Sequence, residues 1–446
     1  MTKPHCRYSI LVPTHQRAAL LRGTLRGLLL QTHDSYEIVV SNNFSRDDTR
    51  AVLAEFASET RIKILHTDRK LSMPEHWEFA MEFVSGEFVV VLGDDDGIRP
   101  DCLRILDRVI EATQANLLKF KTGLYYHNDW VDQKRNTFEF DTRCSNRYFT
   151  VEKQVVIEDF CAFRDYSFFP NLLQACFSQA LYRQAKQRCG TVFVGAPDWS
   201  CPFLLLMDEH AKLVYVDSTL GYGGRSQMSN AAYYENAENE FRNLRLTDFI
   251  NELSADVRFP YHSPQITTPG NFTPAAFSYA KHFYPDALAR FELDRFELAK
   301  VIQQDIAEEA VSGRQAFWTA AELASFDEFV RALSPRERRA IAGMPGYSSA
   351  RARFMLRLKR LKRTVVRRFP GLVTPAGPGL EVSSRYPFNV SINIGQLGIT
   401  AGDELMKAFD SLIRESDRSA AVKVEGLLKA RQLSPAGQLA LPLAAN

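Results

Sequence analysis

Apolar and polar positions in the first quarter of the chain switch repeatedly between a strand pattern and a helix pattern. Tyr8-Ser9-Ile10-Leu11-Val12 is a short apolar run closed by Pro13-Thr14, which predicts a buried strand turning outward at its carboxyl end. Leu20, Leu21, Thr24, Leu25 and Leu28 then recur at helical spacing and predict a helix from about Arg17 to Gln31. Glu37 to Ser41 reads as a second strand. After it, Ser45-Arg46-Asp47-Asp48 has the form of a capping box opening a helix with Val52, Leu53 and Phe56 inward. Ile62 to Leu65 gives a third strand, and Pro74-Glu75 opens a helix carrying Trp77, Met81 and Val84. Gly86 to Leu92 is too short for a globular helix and reads as a fully buried fourth strand. The alternation predicts an α/β protein whose parallel sheet is covered by helices on both faces and joined by right-handed crossovers.

The fourth strand runs into Gly93-Asp94-Asp95-Asp96-Gly97, so three carboxylates are expected at its carboxyl end, where open α/β sheets leave a crevice for ligands. Adjacent aspartates repel one another unless a cation lies among them, and oxygen-only ligands favour Mg²⁺ or Mn²⁺. The plainer alternative is a solvated acidic turn capping a helix begun at Pro100.

Four pieces in order resemble family 2 glycosyltransferases: Ser9 to Arg17, Gln31-Thr32 with the following second strand, the Asn42 to Thr49 loop, and Gly86 to Pro100 with its acidic turn. The resemblance implies a GT-A fold, a Rossmann-like mixed sheet with helices on both faces, followed here by a mainly helical C-terminal extension. It implies a nucleotide-sugar-binding half over residues 1–125 and an acceptor-binding half over 126–230. It further implies metal-dependent, inverting transfer of a sugar from a nucleotide-diphosphate donor to a glycan or lipid-linked acceptor. Pro13, Thr14, Arg17, Asn42, Asn43, Asp94 and Asp95 are then expected to hold the donor, and Asp95 and Asp96 the Mn²⁺ or Mg²⁺ ion. Two departures stand out. Asn42 and Asn43 occupy the loop that usually carries a base-binding aspartate, and Gly93 replaces the usual first aspartate of the metal motif.

Leu117 to Lys121 predicts a further strand, and the aromatic stretch from Tyr125 to Tyr148 suits a packed hairpin or a sugar-stacking surface. Pro197-Asp198 is a helix-start signal. In similar enzymes a carboxylate at this distance is the general base that takes the acceptor hydroxyl's proton, so Asp198 is the expected catalytic residue. Leu213 to Val216 reads as a strand feeding a glycine-rich loop, Gly221 to Ser229, which offers backbone N–H groups and Arg225 to the diphosphate. Two helical stripes follow, Phe291 to Ile302 and Phe326 to Leu333, in a helical extension over 231–345. His262 and His282 are candidates for an additional metal ligand.

Composition changes the picture in three places. The seven cysteines, all between Cys6 and Cys201, show no zinc spacing and suggest reduced thiols in a cytoplasmic protein. A net charge of +2 does not announce a nucleic-acid partner. Within 346–446, the segment 351–368 places nine arginines and lysines, with no acid, around Phe354, Leu358, Leu361 and Val365. That is a basic amphipathic helix suited either to an anionic membrane surface or to docking on the protein. A Pro/Gly linker from Gly371 to Pro387 and a frayed tail from Pro435 complete the expected organisation. Two rival activities are a sugar nucleotidyltransferase, disfavoured because no glycine follows the first strand, and a non-catalytic sugar-nucleotide or membrane-surface binding protein.

Overall fold

The computed structural model describes residues 6–130, 134–141, 144–229, 261–311 and 318–344, with the segments 381–382, 389–393, 403–408 and 435–438. The basic segment 351–368 lies outside them. Four parallel strands form the first half of the sheet: β1 (Cys6–Thr14), β2 (Tyr36–Asn42), β3 (Ile62–His66) and β4 (Gly86–Val91), in the order β3-β2-β1-β4. Their apolar residues divide by parity. Ile10, Val12, Ile38, Val40 and Val90 face the helices Ala18–Leu28, Thr49–Ala54 and Cys102–Thr113, whereas Leu11, Val39, Val89 and Val91 face Met73–Met81 and later helices. Burial on both faces explains the continuous apolar runs, and each such side chain contributes about 1.5–3 kcal/mol.

Beyond β4 the sheet becomes mixed. β5 (Gly97–Ile98) follows the acidic turn; β6 (Leu117–Tyr126) and β7 (Thr137–Asp141) make the expected aromatic hairpin, with Tyr125 opposite a buried Phe138. β8 (Arg147–Thr150), β9 (Ala175–Ser178) and β10 (Leu213–Arg225) follow. β9 lies antiparallel between β4 and β6, while β10 runs parallel to β6 and antiparallel to β5 and β8. This is the expected mixed sheet, a Rossmann-like half continued into a mixed half. Behind it, Pro269–Phe283 packs on Pro197–Met207, and a separate apolar cluster of Leu298, Ile302, Trp318, Phe326, Phe329 and Leu333 forms the core of the helical extension.

Three sequence expectations change. Gly221 to Arg225 is not a loop but the end of β10, paired residue for residue with Thr122 to Tyr126. The glycines serve close approach: a Cβ on Gly224 would stand 2.6 Å from the carbonyl carbon of Asp95, and one on Gly221 would lie 2.5 Å from the Gly97 carbonyl oxygen. The capping box at Ser45 does not form. The helix starts at Thr49, Asp47 accepts from the Thr49 N–H, and the Ser45 hydroxyl instead accepts from the Gln16 N–H at 2.8 Å, tying the β1 and β2 loops together. Finally, the C-terminal part returns to the sheet: β11 (Glu381–Val382) and β12 (Asn389–Asn393) extend it beyond β7, and β13 (Pro435–Gln438) pairs with β8 in place of a frayed start to the tail.

Candidate active site

The acidic turn is buried at the sheet's carboxyl edge, with Asp94, Asp95 and Asp96 only 3, 5 and 5% exposed, and it caps no helix, because Cys102–Thr113 begins after Asp101. Thr24 fastens it from below by donating to the carbonyl oxygens of Asp94 and Asp96 at 2.9 and 3.1 Å. Each carboxylate is differently engaged. Asp94 accepts from the Thr14 hydroxyl at 2.6 Å and from Arg17 Nη1 at 2.8 Å. Asp96 accepts two backbone N–H groups, from Gly93 at 2.7 Å and Gly224 at 2.9 Å. Asp95 accepts from the Ser229 hydroxyl and lies 3.5 Å from Arg17 Nη1.

Burial pushes the Asp94 carboxyl up against the pull of Arg17. Burial, and then the neighbouring Asp95, push Asp96 up to about 7. Desolvated negative charge with one guanidinium against it is an arrangement that a further cation relieves.

This turn forms one wall of a cleft of roughly 520 Å³. Pro13, Thr14, Arg17, Asn43, Asp94, Asp95, Asp96, Asp198 and Arg225 all line it. Asn42 does not: its amide is spent on Ser45 N–H and the His66 ring. Asn43 reaches the cleft, but its amide clasps both the N–H and the C=O of Leu71, each at 2.8 Å, fixing the segment after β3. Arg225, at the end of β10, has no ion-pair or hydrogen-bond partner for its guanidinium among the described residues. His262 is bound to Ser278 and Asn271, and His282 stacks on Tyr261; neither lines the cleft.

Asp198, also in the lining, occupies the first turn of Pro197–Met207, a helix whose N-cap residue, Ala196, makes no side-chain cap bond. The Asp198 carboxylate accepts from Asn171 Nδ2 at 3.1 Å. Burial raises its pKa and the Asn171 N–H opposes the rise, so the group is a more basic carboxylate than one in water.

Residues 9–186 match the profile of the family described as glycosyl transferase family 2. That stretch is similar to this family. The match takes in the β1 loop and the acidic turn but ends before Asp198 and Arg225. The chain is 32% identical over 167 residues to the GalNAc(5)-diNAcBac-PP-undecaprenol beta-1,3-glucosyltransferase of Campylobacter jejuni, covering 34% of this chain and 53% of that one. It is 23% identical over 154 residues to glycosyltransferase GlyG of Streptococcus pneumoniae, covering 34% and 45% respectively. It thus spans about half the length of these relatives. The crystal structure of S. aureus TarS 1–349 in complex with UDP-GlcNAc aligns with a TM-score of 0.45 at 13% identity, covering 85% of this chain and 95% of that one, a likeness too loose for residue correspondence.

The cleft contains residues the sequence did not single out: His15, Lys70, Asn171 and Gln174. Asn171 follows a proline at a turn, which is a local signal, but its partner Asp198 is distant in the chain. Gln174 carries no signal until Lys119, a lone cation within the apolar run Leu117 to Phe120, is noticed beneath it.

Proposed function

We propose that this chain transfers a sugar, with inversion, from a nucleotide-diphosphate donor to a hydroxyl of a glycan or lipid-linked glycan. One observation carries the reading: the Asp95 carboxylate, the Arg225 guanidinium and the Asp198 carboxylate line a single cleft bordered by the Pro13 to Arg17 and Asn43 loops. Arg225 suits a diphosphate, and Asp198 takes the acceptor proton as attack proceeds.

A divalent ion fits Asp95. That side chain faces the cleft among buried, under-compensated carboxylates, whereas Asp96 is turned to backbone N–H groups and holds the turn. Among the described residues no three His, Cys, Asp or Glu side chains converge as a metal cage. Such a site would draw its remaining oxygens from the diphosphate and water, in the manner of Mg²⁺ or Mn²⁺. When bound, the ion neutralises charge on the leaving diphosphate.

Two relatives are named for undecaprenol-diphosphate-linked acceptors, one of them with UDP-Glc as donor, which supports a polyprenyl-linked acceptor and makes UDP-glucose the first donor to try. No helix among the described residues is long and apolar enough to cross a membrane. The basic stripe of 351–368 would bring the cleft to a lipid-borne acceptor at an anionic surface.

The test is a thermal-shift screen of UDP-, GDP- and dTDP-sugars with Mn²⁺. A ligand at about 100 times its Kd adds about 2.7 kcal/mol to stability, so one donor should raise Tm by several degrees. No shift with any of them overturns the proposal.

A further inference from the structure

Beneath the acceptor-side wall lies a chain of polar groups with a fixed direction. Lys119, on β6, is 4% exposed, and its ammonium donates to Gln174 Oε1. Gln174 Nε2 in turn donates to Thr122 Oγ1 at 2.8 Å. In its protonated form Lys119 has hydrogens and no lone pair, so Gln174 then turns its oxygen to Lys119 and its NH₂ to Thr122, the direction the structure shows. The Thr122 oxygen is therefore occupied as an acceptor, and its own hydrogen has no acceptor among the described residues. Both Thr122 and Gln174 line the cleft, on the wall that carries Asn171 and Asp198.

Burial of Lys119 is costly, pulling its pKa down to about 7, and among the described residues Gln174 is the one hydrogen-bond partner of its ammonium. A buried cation held by one amide oxygen is an expensive way to orient a glutamine, and an apolar residue would fill the site at less cost. Orientation of the amide is what the lysine adds.

We propose that the Lys119–Gln174–Thr122 chain is a sugar subsite: Thr122 Oγ1 and the second Gln174 N–H present two directed donors to the hydroxyl oxygens of a pyranose. The inference rests on the glycosyltransferase reading and deepens it. Thr122 and Gln174 touch the sugar, and Lys119 is a positioning residue acting through Gln174. The pyranose belongs either to the donor or to the acceptor; its chemistry is the same.

The experiment uses the full chain with Mn²⁺. UDP and UDP-glucose are titrated calorimetrically, and methyl N-acetyl-β-glucosaminide is followed by ligand-observed NMR in the presence of UDP. Thr122→Val removes the donor at constant shape, and should weaken either UDP-glucose or the glycoside about fivefold while UDP binding changes less than about twofold, the loss expected of one neutral hydrogen bond. Loss on UDP-glucose assigns the subsite to the donor, and loss on the glycoside assigns it to the acceptor. Thr122→Ser, which keeps the hydroxyl, should bind as the wild type does.

Gln174→Glu tests the direction. A carboxylate has no N–H, so Thr122 must donate to it, and the sugar should be lost although the hydroxyl remains. Lys119→Met should show the same selective loss without a lower Tm, which a purely structural lysine would not produce. If Thr122→Val and Gln174→Glu leave UDP-glucose and the glycoside unchanged while UDP still binds, the subsite is refuted and the glycosyltransferase reading stands. If the wild type binds neither UDP nor UDP-glucose, both fall together.

Discussion

Gly224 and Gly223 are neighbours on β10 with opposite expectations. A Cβ on Gly224 would overlap the Asp95 carbonyl oxygen and stand 2.6 Å from its carbon, where ordinary contact begins at 3.4 Å; the obstacle is backbone, which has no rotamer to change. A Cβ on Gly223 meets nothing closer than 3.9 Å. Gly224→Ala must therefore separate β10 from the acidic turn by roughly an ångström, at about 2–3 kcal/mol, and stretch the Gly224 N–H bond to Asp96. Because Asp95 sits on that turn, the same displacement is expected to lower donor turnover on the order of 100-fold. Gly223→Ala should keep its urea midpoint close to wild type, with a stability within about 1 kcal/mol of it. The assay is urea unfolding of both variants, followed by nucleotide release from UDP-glucose by Gly224→Ala. Equal unfolding midpoints for the two variants would refute the claim that β10 is seated on the acidic turn.

Asp198→Asn should cut sugar transfer by about 100-fold or more while leaving donor affinity in calorimetry unchanged, because the acceptor's proton has lost its base. Asn171→Ala removes an N–H that favours the Asp198 carboxylate, so the carboxyl should titrate higher and the acid limb of kcat/KM should move to higher pH. Buried His76 and His262 titrate at about 3 and about 4 in the folded chain against 6.5 in the open. The unfolded state therefore binds more protons below pH 6.5, and stability should fall by up to roughly 2 kcal/mol per site between pH 6.5 and 5, read by thermal melts of wild type and His76→Gln.

Most of the parallel half of the sheet was legible because β1, β2 and β4 are buried on both faces over their apolar runs, while the edge strand β3 alternates between half-buried apolar residues and the exposed Lys63 and His66. The acidic turn was legible for a related reason, since charges placed directly after such a run must lie at a sheet edge. What stayed hidden was set by distant partners. Gly221 to Arg225 looks like a loop by composition, yet β6 on one side and β5 on the other make it a strand, and its glycines answer to Asp95 and Gly97 rather than to a turn. Ser45 has the residue type of a cap but is captured by Gln16 from another loop. Asn171, Gln174 and Lys119 meet only because β9 inserts antiparallel between β4 and β6, a pairing with no local code. The family profile stops short of Asp198, so its presence in the same cleft as Asp95 came from the structure.

The most direct measurement of the central claim is release of UDP from UDP-glucose by the wild type with Mn²⁺, by the wild type with chelator, and by Asp95→Ala with an unchanged circular dichroism spectrum. Slow release in the first case that falls at least about 100-fold in the other two is the predicted result. Release at the same rate without metal, or without the Asp95 carboxylate, would contradict it.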